Sequence, residues 1–457
     1  MKYPGSFPIY VIALTIVATV ALALRIGAEK MKPESAEKPA DVSAQTRTPE
    51  ILLATLPAVE GTSVTDLALI EAREKARRKP ADANVWSQLG DAIAQKQRDT
   101  SATLWYAHAE AAYQKALELQ PQLVDALNGL AWVYGGRHDF QASVKWAKQA
   151  LEAQPQNPVA LGIIGDAALE LGDLDRAFES YQQMMDARPD LSSYSRGAYI
   201  VWLTGDSKKG RWLMQKAIQA GSPHAENTAW CRARLTMMLF HEGALLPAAQ
   251  VAEQGVKATP DHVPLLLMLG RIKVAQQDDK TAIATFEKVL AQGPNHDALT
   301  ALGDLHAARG HQDTAEMFYQ QVEALHAANL KSGTHDHTQM ARFYADHDRQ
   351  VGEALRLASE HASSQNVFEL DVRAWAAFKS GDLPQARKSI QTALNIGTQD
   401  AEIIYHAGII AAATGDRPGA QKLLSRALSL NPHFHPLHAP LATRKLDELA
   451  VGLATTK

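Results

Sequence analysis

Cysteine is nearly missing from this chain: 457 residues hold one, Cys231. A lone thiol excludes an intramolecular disulfide framework. Aromatic residues are scarce as well, 6% of a chain that is 46% hydrophobic. That balance, rich in Ala and Leu, suits a helical array better than a β-sandwich. Neither sign of charge dominates, with 46 Lys and Arg against 50 Asp and Glu and a net charge of −4. A nucleic-acid partner would need a basic face, so none is expected. The chain has no Gly-x-Ser-x-Gly elbow, no phosphate-cradling loop ending in Lys-Ser/Thr and no His-Glu-x-x-His. It is read as a non-enzyme.

Against these absences stands a regular punctuation by proline. Pro121, Pro155 and Pro189 follow one another at a constant interval, which Pro260 and Pro294 repeat and Pro223 misses by one residue. An interval of about 34 residues with a breaker closing each unit marks an array of helical hairpins. The unit is plainest before Pro189. Leu161, Ile164, Gly165 and Ala168 share one face of a first helix, and Ala177, Tyr181 and Met184 form the inward stripe of a second. Between them Gly172-Asp173 ends one helix and starts the next. The Gly-Asp turn returns at Gly205-Asp206, Gly381-Asp382 and Gly415-Asp416, while Gly243 and Gly310 take its place without the Asp. The small residue opening the second stripe returns as Ala248, Ala282, Ala315, Ala386 and Ala420. A bulkier residue follows at Phe286, Tyr319, Ile390 and Leu424.

These positions, with Trp86, Leu89, Gly90, Ala109, Tyr113, Ala116 and Pro121 opening the series, resemble the tetratricopeptide repeat over residues 66–432. The resemblance implies an all-α, right-handed superhelical solenoid of about ten hairpins. An insertion of about seven residues is expected near Arg98 to Thr103, and an insertion or a longer loop from His326 to Thr338. Residues 66–79, with Ala68, Ala72 and Ala76 at helical spacing, read as an unpaired helix capping the array.

Tyr3 to Leu24 carries no charge, and its length approaches the roughly 20 residues that span a bilayer. After a short tail at 1–7, a transmembrane signal anchor is expected at 8–26, with a cleavable signal peptide ending near Ala21-Leu22-Ala23 as the alternative. A flexible tether follows at 27–65, in which Ile51 to Leu56 is an apolar island expected to pack on the first repeat. A His-containing cap and tail occupy 433–457. The layout points to a single-pass protein of the inner (plasma) membrane with its repeats outside the cytoplasm.

By the same resemblance, first-helix residues line a concave groove. Asp91, Asn128, Trp132, Asp166, Glu170, Arg271, Asp304, Trp375 and Tyr405 are the expected partner-contacting set, and its acidic members suggest a ligand with positive charge. Trp132 and Trp375 share one slot, expected to face solvent. His433, His435 and His438 are a candidate site for zinc or nickel, since neutral imidazoles bind such ions. His335, His337 and His347 with Asp336, Asp346 and Asp348 form a second candidate group. Cys231 reads as a structural, buried thiol.

The expected function is a membrane-tethered protein-protein interaction scaffold or assembly factor, binding a protein client in the groove. The alternatives are a metal-handling accessory protein using the terminal histidines, a self-associating adaptor, and a role in envelope polysaccharide export.

Overall fold

The structure, a computed structural model, describes residues 48–59, 61, 63–100, 104–331, 337–360 and 364–454. The expected anchor at 8–26, most of the tether and residues His335 and Asp336 lie outside the described residues. Among the described residues there are twenty-three helices and no strand. No helix there is long and apolar enough to cross a membrane.

Twenty of the helices pair into ten consecutive hairpins, at 83–119, 124–153, 158–187, 191–220, 226–258, 263–290, 296–331, 337–358, 367–395 and 401–430. Val64–Arg78 precedes them and His438–Ala454 follows. The turn chemistry follows the sequence. Gly172, Gly205, Gly243, Gly310, Gly381 and Gly415 all have positive φ, the left-handed geometry that closes a helix cheaply only for glycine. Asp173, Asp206, Asp382 and Asp416 each accept a hydrogen bond from the backbone N–H three residues on, capping the second helix. The repeated alanines at 177, 248, 282, 315, 386 and 420 are buried.

A three-residue device fixes the spacing of several hairpins. The ring of Tyr181 lies where a Cβ on Gly165 would stand, 2.4 Å from that ideal position, and its hydroxyl donates to Asp166 Oδ1 at 2.8 Å. Gly90, Tyr113 and Asp91 repeat it, as do Gly303, Tyr319 and Asp304, both with hydrogen bonds of 2.9 Å. In the sixth hairpin the ring over Gly270 is Phe286, which has no hydroxyl, and Arg271 stands where the others have Asp. The aromatic and the residue after the glycine thus change together.

Some local details differ from the reading above. The apolar island is helical over Pro49–Thr55, with Leu53 and Leu56 buried among Trp86 and its neighbours. This is the packing expected of the apolar island, and Arg73 adds a hydrogen bond to the Leu53 carbonyl. In the capping helix the inward residue is Leu69, and Ala68 faces out. Near 326–338 the extra length begins as helix, because Gln312–Lys331 runs for 20 residues. Part of the excess in the first hairpin is likewise helical, since Ala83–Thr100 runs for 18 residues.

The solenoid returns on itself. The glycine turns of the third, fourth and fifth hairpins sit against connections nearly two hundred residues later. Gly172 meets Gln365, Gly205 meets Gly397, and Gly243 meets Leu430. The Ser364 hydroxyl donates to the Glu170 carbonyl at 3.3 Å and Asn366 Nδ2 to Glu170 Oε2 at 2.9 Å. Asn431, fully buried, donates to the Phe240 carbonyl at 2.7 Å. One hydrophobic core accordingly runs from Ala168 to Ile410 in sequence.

Candidate functional site

The returning carboxy-terminal connections close over first helices of the middle hairpins. They border a half-open cavity of about 670 Å³, within the range of ligand-binding clefts. Its wall comes from Glu226–His241, Val263–Ala275, His296–Ala308 and His337–Asp346, and its cover from Phe368, Asp400, Glu402 and His433 to Pro436.

The charges on this lining are mostly matched within the chain. Asp304 Oδ1 accepts from Tyr319 and from His347 Nε2 at 2.7 Å, and its Oδ2 lies 3.3 Å from His435 Nε2. Burial pushes this carboxyl up, but the two imidazoles outweigh it and hold it far below the usual carboxylate range. Glu402 pairs with Arg342 at 2.6 Å. There, too, burial is overcome, by Arg342 first and then by His438 and His435. Asp400 faces His241 at 3.3 Å, and Asp297 accepts from Gln339 at 2.6 Å.

Two guanidiniums are the exception. Arg234 stacks over Trp230 and Tyr199, with 4.7 and 5.3 Å to the ring centroids, and Arg271 lies over Phe240 at 5.1 Å. Neither comes within ion-pair distance of a carboxylate among the described residues, although Asp297, which burial pushes up, is held below its usual range by His296 first and then by Gln339 and Arg271. Cation–π stacking holds a guanidinium flat while leaving its N–H edge available.

The nine expected groove residues separate into three groups. Arg271 and Asp304 line the central cavity. Trp132, Asp166 and Glu170 line a smaller groove of about 290 Å³ between the second and third hairpins. There Trp132 is half-buried against Tyr106 and Arg98, and Asp166 forms a salt bridge with Arg196 at 2.8 Å. The remaining four lie elsewhere. Asp91 is exposed, and Asn128 is buried and bonded to Asn157. Trp375 and Tyr405 are 2% and 3% exposed, because the last two hairpins and the terminal helix close over them. Trp375 therefore does not share the solvent-facing place expected from Trp132. The inference of a positively charged ligand also weakens, since Asp166, Asp304 and Glu170 already have partners in the chain.

The terminal histidines divide as well. His435 and His438 stack at 4.2 Å, while His433 is exposed. Two sets bring possible ligand atoms within 4.8 Å of one another: Asp346, His406 and His438, and Glu402, His435 and His438. The second sequence group is dispersed. His337 pairs with Glu360, His347 with Asp304, and Asp348 with Lys379. Cys231 is fully buried, and burial pushes its thiol up to about 12, away from any redox role.

Sequence reasoning missed Arg234, Arg342, Glu402, Asp371 and His406. Each sits on a first helix whose inward face was legible, but their convergence depends on which distant hairpins meet.

The family comparison agrees with this architecture. A tetratricopeptide repeat model matches residues 106–158, 128–192 and 267–329. Similar solved structures include PilW, a widely conserved type IV pilus biogenesis factor, at 20% identity and TM-score 0.38, covering 44% of this chain and 93% of that one. The Pseudomonas aeruginosa pilF structure is similar at 16% identity and TM-score 0.31, covering 56% and 96%. The human IFIT1 dimer with PPP-AAAA is similar at 15% identity and TM-score 0.44, covering 84% and 94%. Residues 106–192 and 267–329 thus match tetratricopeptide repeats, within an array that is all-helical among the described residues.

Proposed function

We propose that this chain is a protein-interaction scaffold that seats an apolar, acidic segment of a client protein in the central cavity, with residues 8–26 tethering it to a membrane. The observation that carries the reading is the pair Arg234 and Arg271. Both lie on the cavity lining, both are held by aromatic rings, and neither comes within ion-pair distance of a carboxylate among the described residues. Asp304 and Glu402 nearby already have cationic or imidazole partners in the chain, so the stacked guanidiniums are the charges most available to a ligand. Tyr199, Trp230, Phe240 and Phe286 supply the apolar contact around it, and such rings with Arg are the residue types that dominate binding energy at interfaces. A membrane tether would raise the local concentration of the scaffold around membrane-associated clients.

The test is site-specific photocrosslinking in cells. A photoreactive residue at Thr300, on the cavity lining, is expected to give a defined adduct that the Arg234→Ala, Arg271→Ala double variant loses. The same residue at Lys148, on the outer helix Phe140–Ala153, is expected to give none. An adduct that forms equally at both positions, or survives loss of both arginines, refutes the reading. A reporter active only outside the cytoplasm, fused after Lys457, tests the proposed side of the membrane, and a carbonate wash tests the tether.

A further inference from the structure

The set Asp346, His406 and His438 has the features of a site for a divalent transition ion. His406 is 1% exposed and stacks on Trp375 at 4.2 Å with the rings 17° apart. Its Nδ1 lies 2.9 and 3.1 Å from the two oxygens of the buried Asp371 carboxylate. That contact places a ring proton on Nδ1 and leaves Nε2 to hold either a metal ion or a second proton. Nε2 is buried with no hydrogen-bond partner. Facing it at 3.9 Å is Asp346 Oδ1, also buried and without a partner. His438, 2% exposed, brings its ring edge-on to His406, with a ligand nitrogen within 4.8 Å of both.

Buried polar atoms are nearly always paired, so this nitrogen and the facing carboxylate oxygen call for a cation between them, and the third ligand atom from His438 favours a metal ion over a proton. The carboxylate behind the histidine is the usual outer support of a metal-bound imidazole, fixing its tautomer and raising its basicity. Two imidazoles and one carboxylate form a common set for zinc and related ions.

The alternative set, Glu402, His435 and His438, fails on tautomer grounds. His435 Nδ1 accepts from the backbone N–H groups of Leu437 and His438 at 3.2 and 3.4 Å. Its proton is thereby placed on Nε2, which faces Asp304 at 3.3 Å. That ring is committed as a donor.

We infer that Asp346, His406 and His438 bind one divalent transition-metal ion of the zinc class, with Asp371 as the positioning residue behind His406. The ion would join three distant segments: the first helix of the eighth hairpin, that of the tenth, and the start of the terminal helix. The inference does not depend on what the central cavity binds, and the crosslinking test above does not read it.

The experiment is calorimetric titration of the full chain, in detergent and without a histidine tag, after chelation and removal of the chelator. The probe is Zn²⁺, with Co²⁺ absorption reporting geometry. The expected result is one tight site with tetrahedral Co²⁺ bands, lost in His406→Ala, His438→Ala and Asp346→Asn. Asp371→Asn should weaken it by about 10–100-fold. His433→Ala and His435→Ala should retain it, as should His306→Ala, which removes a surface histidine near His311. Far-UV circular dichroism checks folding. If the alanine variants do not fold, Asp371→Asn and the Co²⁺ spectrum still decide. Absence of a tight site overturns the inference and leaves His406 as an imidazolium between two carboxylates. So does a site that survives Asp346→Asn and His406→Ala, or one lost instead with His435→Ala and Glu402→Gln.

Discussion

Replacing Gly243 by Ala and, separately, Gly415 by Ala should give different losses from an identical chemical change. Both glycines end a first helix with nearly the same left-handed geometry, φ of 72° and 85°. The added methyl therefore brings the same backbone cost to each, about 1–2 kcal/mol. The surroundings differ. At Gly415 nothing lies within 4 Å of the new Cβ. At Gly243 the new Cβ would stand 2.5 Å from the Leu430 carbonyl oxygen, far inside contact distance. That oxygen is backbone and cannot rotate aside. The connection must move, which strains the bond from Asn431 to the Phe240 carbonyl. Overpacking of this kind costs about 1–3 kcal/mol, and loss of the buried hydrogen bond adds about 1 kcal/mol. Gly243→Ala should thus exceed Gly415→Ala by about 2–4 kcal/mol. Because arrays of repeats need not unfold in one step, the assay is hydrogen exchange resolved by segment. Protection around Phe240 and around Asn431 should fall together in Gly243→Ala and hold in Gly415→Ala. Equal losses, confined to each mutated turn, would refute the return of the solenoid on itself.

Further expectations follow from single residues. Tyr319→Phe removes the donor to the ionised Asp304 while leaving the ring over Gly303, and should destabilise by about 1.5–3 kcal/mol in urea unfolding, whereas Phe286→Ala should cost about 3–5 kcal/mol by opening a cavity. The capping helix Val64–Arg78 should loosen in acid. Asp66 is held below its ordinary range by hydrogen bonds from Lys96 and Ser63. A lowered carboxyl contributes stability that is present above its unfolded value, about 3.9, and lost as pH falls through the folded one. Exchange protection of that helix should drop below about pH 4, and Asp66→Asn should remove the acid dependence. Cys231 should stay unlabelled by iodoacetamide at pH 8 in the folded chain and react on addition of urea.

The local fold could be read from the chain. Pro189, the Gly172-Asp173 turn and the Ala177–Tyr181 stripe set hairpin length, turn and facing stripe, and the structure keeps all three. Covalent neighbours and helical periodicity carry that information, so a single sequence displays it. The site was legible only in part. Arg271 and Asp304, expected on an inward face from their first-helix positions, line the central cavity. That Trp375 and Tyr405 are sealed, or that Asp371 stands behind His406, depends on superhelical curvature. Many small rotations between hairpins accumulate into that curvature, and none leaves a mark in the sequence.

The contacts of Gly172, Gly205 and Gly243 with Gln365, Gly397 and Leu430 bear on how such a chain can evolve. An open array tolerates gain or loss of a unit, since each unit touches only its neighbours. Here three successive turns meet three successive connections in matching order. Deleting or duplicating one hairpin between them would shift every pairing by a rung, setting backbone against the wrong backbone and unseating Asn431. The number of units between the two rows is therefore held constant by geometry, as the teeth of one rack must match those of another.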